Sequence, residues 1–418
     1  MQNLWFLPLV VMALVCGLFG ATIWLDTMHV LTTIKPFSFF YQLDIDASRA
    51  LIGKLAAAIM TMAGIVFSLV FVALSLASGQ FGPRLLQHFI SDKMTQTALG
   101  LFIATFVFQS LTFLSLGENL PFDTVPGITL SLALLMVLMC LLFLVFYIHH
   151  LAKSLQADVV VDGIFQRLKN KLLKIKVPKI KQQEAIEATF SEATQGRVKI
   201  ALKLKESGYM QAIDKNKLSH YCAQNQLFVC CLCNPGDYIV AGEPVAHVYG
   251  EENADGQNEE LARYFKLGAT RTALQDLEFE IHQLTEIAIR SLSTGINDPF
   301  TAHTCIDKLS EVAIIVTSHG LPSPFTLDKH QEPRLRLPAL ELPTVFEHLF
   351  SAVIRHGKTD FSVANCFVAA FLRIAPHCKA ELARKALQQQ VTLFLAQQQG
   401  NVTDAEHAHF VARLAAIQ

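Results

Sequence analysis

The stretch LAAAIMTMAGIVFSLVFVALSLAS, residues 55–78, runs for 24 positions without one Asp, Glu, Lys or Arg. A helix rising 1.5 Å per residue crosses the ~30 Å of a bilayer's hydrocarbon in ~20 residues. The stretch is therefore long enough to span. Three more segments read the same way: Leu4–Leu25, Ala98–Leu116 and Ile128–Ile148. Charges stand only at their edges, at Asp26 and Lys54, as expected where a buried charge costs at least ~2.5 kcal/mol. No Lys or Arg precedes the first segment and no small-x-small cleavage pattern follows it, so it reads as a retained helix and not a signal peptide. Val15 before Cys16 also speaks against a lipoprotein signal.

The charge distribution divides the chain at the end of the fourth segment. Residues 1–152 hold five of the 34 Lys and Arg and six of the 35 Asp and Glu, and the remainder lies beyond. The first third is composed like a membrane domain and the rest like a soluble one. A net charge of −1 excludes a generally basic nucleic-acid binder. The 117–127 loop carries Glu118 and Asp123 without a cation, whereas seven cations between Arg167 and Lys181 precede Glu184. Positive-inside asymmetry therefore predicts both termini in the cytoplasm of a bacterial inner, or plasma, membrane.

On the second segment, Ala57, Thr61, Gly64, Ser68, Ser75 and Gly79 follow helical steps of three, four and seven. Two readings stand. Small residues let helices approach closely where no hydrophobic force joins them; alternatively, the hydroxyls line a pore or cavity. Thr105, Gln109 and Thr112 pose the same choice on the third segment. Arg84, just past the second, reads as a mouth charge or a lipid contact.

The organisation predicted is a four-helix transmembrane domain (1–152), a basic amphipathic juxtamembrane helix and linker (153–196), a small β-rich lipoyl-like module (197–250), a helical hairpin (251–320), a Pro-rich connector (321–343) and a C-terminal helical bundle (344–418). Residues 151–181 continue the fourth helix, with apolar positions at Leu155, Val159, Ile164, Leu168 and Leu172 and a solvated basic face that attracts anionic lipid. In the β module, strands fall at Val198–Leu204, Tyr209–Ile213, Leu227–Cys233 and Pro244–Val248, with a short helix capped by Asp214. Pro235-Gly236-Asp237 and Gly242-x-Pro244-x-Ala246 look like a lipoyl-type hairpin, but Ile239, Val240 and Ala241 replace the modified Lys, so no swinging cofactor is expected. Cys222, Cys230, Cys231 and Cys233 lack a second paired motif, and we read them as buried thiols with no metal and no disulfide framework.

Arg271 to Ala302 concentrates the polar motifs. Asp276, Gln283 and Arg290 are seven residues apart, which a helix stacks on one side. Gly295 is expected to end that helix; Asp298 followed by Pro299 caps and starts the next. Asn297 and Asp298 alternatively present oxygens to a cation or to Arg290. Helices are expected at Thr344–His356, Phe361–Ile374, Lys379–Gln398 and Ala405–Ile417, the last with a Thr403/Glu406 capping box. No Gly-rich phosphate loop, His-Glu-x-x-His or Gly-x-Ser-x-Gly pattern occurs, so no catalytic residue is assigned. His303 and Asp307, beside Asp298, read as a solvated helix face.

Several motifs together resemble the bacterial predicted membrane proteins of domain-of-unknown-function family two-two-five-four. They are Phe67-Ser68-Leu69, the run from Leu76 to Arg84, Leu99-Gly100-x-Phe102-x-x-x-Phe106, Ser207-Gly208-Tyr209, Arg271-Thr272 with Gln275-Asp276, and Ser291-Leu292-Ser293 with Gly295-Ile-Asn-Asp-Pro-Phe-Thr-Ala302. Gly82 stands where the family usually has Ser, and Thr294 where it usually has Pro. The resemblance implies four N-terminal transmembrane helices and a cytosolic domain, and supplies no activity.

The sequence thus predicts a membrane α-helical protein with a cytosolic α+β domain. The expectation for function is a homo-oligomeric channel or transport-like protein gated by that domain. A non-conducting scaffold or envelope regulator is the alternative. The bilayer and further copies of the chain are the expected partners, with a small ligand or protein on the cytosolic side. No cofactor is predicted.

Overall fold

A computed structural model describes residues 6–28, 44–82, 92–116, 125–175, 177, 180–250 and 258–417. The chain forms two compact units, Met1–Val159 and Val160–Gln418.

In the first unit, helices α1 (Phe6–Thr27), α2 (Ile45–Phe81), α3 (Lys93–Ser115) and α4 (Gly127–Ser154) are each long and apolar enough to cross a membrane. Asp44 and Asp92 start α2 and α3 by accepting from the Ala47 and Thr95 amides at 3.0 and 2.9 Å, which satisfies donors the helix leaves unpaired. No side chain of α4's own N-terminus caps it. Asp26, at the end of α1, does so, accepting from the Ile128 and Thr129 amides at 2.9 and 3.0 Å and from the Thr129 hydroxyl at 2.7 Å. A carboxylate buried in an apolar bundle is thereby matched to the positive end of a helix.

Helix α3 is the centre of this bundle; α1, α2 and α4 all pack on it. Gly100 makes one approach feasible, since a Cβ there would stand 3.1 Å from the Cα of Pro8 on α1. Helix α2 turns Ile52, Ala56, Ile59, Ala63, Val66, Ala73 and Ala77 inward at coiled-coil-like spacing.

The second unit follows a break in the helix. The chain does not continue α4 as one amphipathic helix: it breaks at Leu155–Gln156, and α5 (Ala157–Lys174) follows, then α6 (Ile180–Thr194). Val160, Val161, Ile164, Phe165, Leu168 and Leu172 of α5 are buried. Three of its charges are paired with the rest of the unit: Lys169 meets Glu311 at 2.7 Å, Lys171 meets Glu280 at 2.5 Å and Asp162 accepts from Lys308 at 2.7 Å.

Strands β1 (Val198–Lys203), β2 (Gly208–Ile213), β3 (Phe228–Cys231), β4 (Tyr238–Ile239) and β5 (Pro244–Gly250) follow, with α7 (Lys215–Gln224) between β2 and β3. Helix α8 (Asn258–Ala262) and β6 (Phe265–Gly268) come next, and β7 (Phe325–Leu327) and β8 (Pro333–Arg336) lie in the Pro-rich stretch. The strands assort into a mixed sheet, β1-β5-β3-β8-β7, and a second sheet, β4-β2-β6. Among the described strands, only the β3–β8 pair is parallel. The β module therefore borrows β6, β7 and β8 from downstream sequence. Cys222, Cys231 and Cys233 sit in its core. Burial pushes the Cys222 and Cys233 thiols up to about 12, as inert apolar packing demands.

The helical part comprises α9 (Glu278–Ser291), α10 (Pro299–His319), α11 (Leu342–Phe346), α12 (Ala352–His356), α13 (Phe361–Ile374), α14 (Glu381–Gln398) and α15 (Asp404–Leu414). A π-helical turn, Glu347–Ser351, joins α11 to α12. Phe350, Phe367, Phe371, Phe394 and Phe410 are buried in successive ring contacts at 5.7–6.4 Å. Thr403 and Glu406 form the expected capping box on α15.

Candidate functional site

A polar cluster gathers around the start of α9. Asp276 is not on the helix, as the seven-residue spacing suggests; it precedes α9 and accepts from the Glu278 and Phe279 amides at 2.9 and 3.1 Å. The same buried carboxylate receives the Nε of Arg271. Gln275 holds the loop against β2 by pairing both its amide groups with the backbone of Ile213, at 3.0 and 3.1 Å. The Asn234–Asp237 turn lies directly on this pair. Gly236 has φ +108°, and a Cβ there would come within 2.5 Å of Asp276 Oδ2, so the hairpin motif serves as a lid over Arg271–Asp276.

From the first turns of α9, Glu278 and His282 project one helical turn apart, and His348 meets them from the π-helical turn. Arg271 Nη1 donates to His282 Nδ1 at 3.2 Å, and its Nη2 lies 3.7 Å from Glu278. His348 Nδ1 is 3.1 Å from Glu278 Oε1, and the two imidazole rings stand edge to face at 5.3 Å. His348 beside it holds the Glu278 carboxyl low despite burial, and Glu278 in turn raises His348. Burial, then Arg271, lowers His282. The arrangement sets one carboxylate and two imidazoles beside the Arg271 guanidinium. A cavity of about 180 Å³ reaches Asp276 and Glu278 from the side of Lys215, Asn234 and Pro324.

Of the residues singled out in the sequence, Arg271 and Asp276 belong to this cluster. Gln283 is buried on α9, and Arg290 pairs with Glu286 at 3.2 Å. Helix α9 ends at Ser291, not at Gly295, and Asn297 takes the left-handed conformation with φ +50°. Asp298 accepts from the Thr301 amide at 3.1 Å and its hydroxyl at 2.6 Å, so it caps α10 with Pro299 as first residue. Asp307 pairs with Arg373 at 2.8 Å.

In the membrane-type unit, Thr61, Gly64, Ser68, Ser75 and Gly79 all lie on the exposed face of α2. A Cβ added at Gly64 or Gly79 would meet nothing within 4 Å. The row therefore packs against none of the described helices of its own chain. Gln109 behaves oppositely: it is buried and donates to the Ala133 carbonyl of α4 at 2.7 Å, with Thr105 receiving the Cys140 thiol at 3.2 Å. These residues join helices within one chain. Arg84 lies outside the described residues.

Sequence reading passed over Glu278, His282 and His348. The spacing of Glu278 and His282 was a signal, but His348 joins them only through tertiary packing and a π turn, a feature that often marks functional positions.

A family model described as predicted membrane protein (DUF2254) matches residues 1–373. Curated relatives include Uncharacterized protein Rv1290c of Mycobacterium tuberculosis strain H37Rv and Uncharacterized protein Mb1321c of Mycobacterium bovis. Each is 26% identical over 410 residues, covering 95% of this chain and 78% of the relative. No solved structure matches.

Proposed function

The chain belongs to this family of predicted membrane proteins, and we propose that it is a homo-oligomeric, channel- or transport-like protein of a bacterial inner membrane, controlled by its cytosolic unit. One observation carries the reading: the small and hydroxyl row of α2 faces outward, where it meets none of the described helices of its own chain, and large apolar residues such as Phe67 and Phe71 stand exposed beside it. In hydrocarbon, such a face gains little against lipid and more against a like face of another copy, where backbones approach closely. Ser68 and Thr61 then sit where copies meet and supply hydroxyls to a conduit. The loop charges support cytoplasmic termini, and on this reading the α9 cluster belongs to the cytosolic unit. No catalytic step enters this reading.

Ion flux through proteoliposomes, wild type against Ser68→Trp, tests it. Conductance that the Trp variant abolishes, at unchanged particle size, is expected. No flux above empty liposomes across a range of potentials and salts overturns conduction. The second reading, a non-conducting scaffold, is favoured by one feature: Phe300, in the first turn of α10, is 77% exposed, and Ile296 just before that helix is exposed as well. It predicts that Ser68→Trp leaves function intact while Phe300→Ser removes it.

A further inference from the structure

We infer that Glu278, His282 and His348 bind one divalent transition-metal ion, with zinc the best match. The three side chains offer two imidazole nitrogens and a carboxylate oxygen whose ligating atoms all lie within 4.8 Å of one another. Zinc bonds of ~2.0–2.1 Å set the edges of a tetrahedral site at about 3.3 Å. One edge, Glu278 Oε1 to His348 Nδ1, already measures 3.1 Å, and the others are no longer than 4.8 Å. Two imidazoles select against magnesium and calcium, which require oxygen sets, and in favour of zinc and its neighbours.

Three further observations point to a ligand. His348 Nδ1 is buried and, although close to Glu278, is not aligned for a hydrogen bond with it. A π-helical turn, an uncommon and costly conformation, is what places His348 in the cluster. A cavity lined by Asp276 and Glu278 opens on the carboxylate side of the cluster, a route by which an ion reaches Glu278. Without metal, Arg271 stands in for the cation through His282 and Glu278; when His282 ligates through Nδ1, the guanidinium gives up that bond and keeps Asp276.

That metal controls a conduit rests on the function proposed above, but binding does not, and the experiment reads binding alone. Zinc content by mass spectrometry, cobalt absorption and the zinc-dependent shift in thermal unfolding are to be measured on the purified full chain without a histidine tag. The wild type should hold one zinc per chain, show the intense visible bands of a low-coordinate cobalt site, and unfold at higher temperature with zinc. His348→Gln and Glu278→Gln should each weaken binding at least ~10-fold, as expected when a ligand is lost, and exposed His330→Gln should change nothing. Two outcomes overturn the site: a wild type that holds no zinc and shows no thermal shift, or folded His348→Gln and Glu278→Gln variants that bind as the wild type does.

Discussion

Asp328 shows how a single carboxylate organises the β7–β8 hairpin. It accepts from the His330 and Glu332 amides at 2.8 and 3.0 Å and from Arg334 Nε at 3.0 Å. Burial pushes its carboxyl up, but Arg334 and the two amides outweigh it and hold the group below the usual carboxylate range. The folded form therefore binds fewer protons than the unfolded one, and the stability it contributes is present above about pH 4 and lost as pH falls through the depressed folded value. Asp328→Asn should cost about 1–3 kcal/mol at neutral pH, the worth of charged hydrogen bonds, and the gap to wild type should close on acidification. Thermal unfolding of both proteins from neutral to acid pH checks this; a gap independent of pH defeats it. What was legible at this scale was local. Asp298 and Thr403 find their partners three residues away, so their capping roles can be read from sequence. Asp276 answers to Arg271 and to the turn at Gly236, and only tertiary structure shows it as a buried hub rather than a helix-surface residue.

At the scale of the element, α2 shows why four spanning helices were readable and their facing was not. Length and absence of charge identify a span whichever way it faces. In lipid, however, inward and outward residues are both apolar, so the pattern does not mark the core as it does for a soluble helix. The inward row, Ile52 to Ala77, and the small outward row alternate along the same helix, and packing on α3 chooses between them. Neighbouring substitutions should then separate two properties. Ala63→Leu enlarges a buried position and should destabilise the folded chain by about 1–3 kcal/mol through overpacking. Gly64→Leu enters open space within the chain, should leave its unfolding unchanged, and should shift the detergent-solubilised particle toward monomer. Thermal unfolding together with particle mass tells these apart; a Gly64→Leu protein of unaltered mass would count against self-association through this face. The same limit explains α5, whose basic, amphipathic pattern fits a membrane surface equally well. Its buried face and the Lys169–Glu311 and Lys171–Glu280 pairs assign it to the C-terminal unit.

At the scale of the whole molecule, only Leu155 and Gln156 separate the last candidate span from α5, and α5 is fastened to α9 and α10. Its tightest fastening is Lys171 on Glu280, a carboxylate that is 1% exposed and whose Oε2 accepts no hydrogen bond among the described residues. Glu280 lies two residues from both Glu278 and His282, so the polar cluster and the α5 clamp share the first turns of one helix. Burial raises the Glu280 carboxyl even with Lys171 and Arg167 near it. Removing Lys171 leaves a nearly uncompensated charge in the interior, and Lys171→Met should destabilise the C-terminal unit by about 2–4 kcal/mol at about pH 8. The sign with pH is opposite to that of Asp328. A carboxyl whose folded value lies above the unfolded one is better tolerated when protonated, so the Lys171→Met penalty should shrink as pH falls. Replacing both residues, Lys171→Met with Glu280→Gln, should recover most of the loss, because a neutral amide needs no cation. A double variant no more stable than Lys171→Met alone, at every pH, would mean that the lysine acts through packing and its bond to Ala273, and not through Glu280.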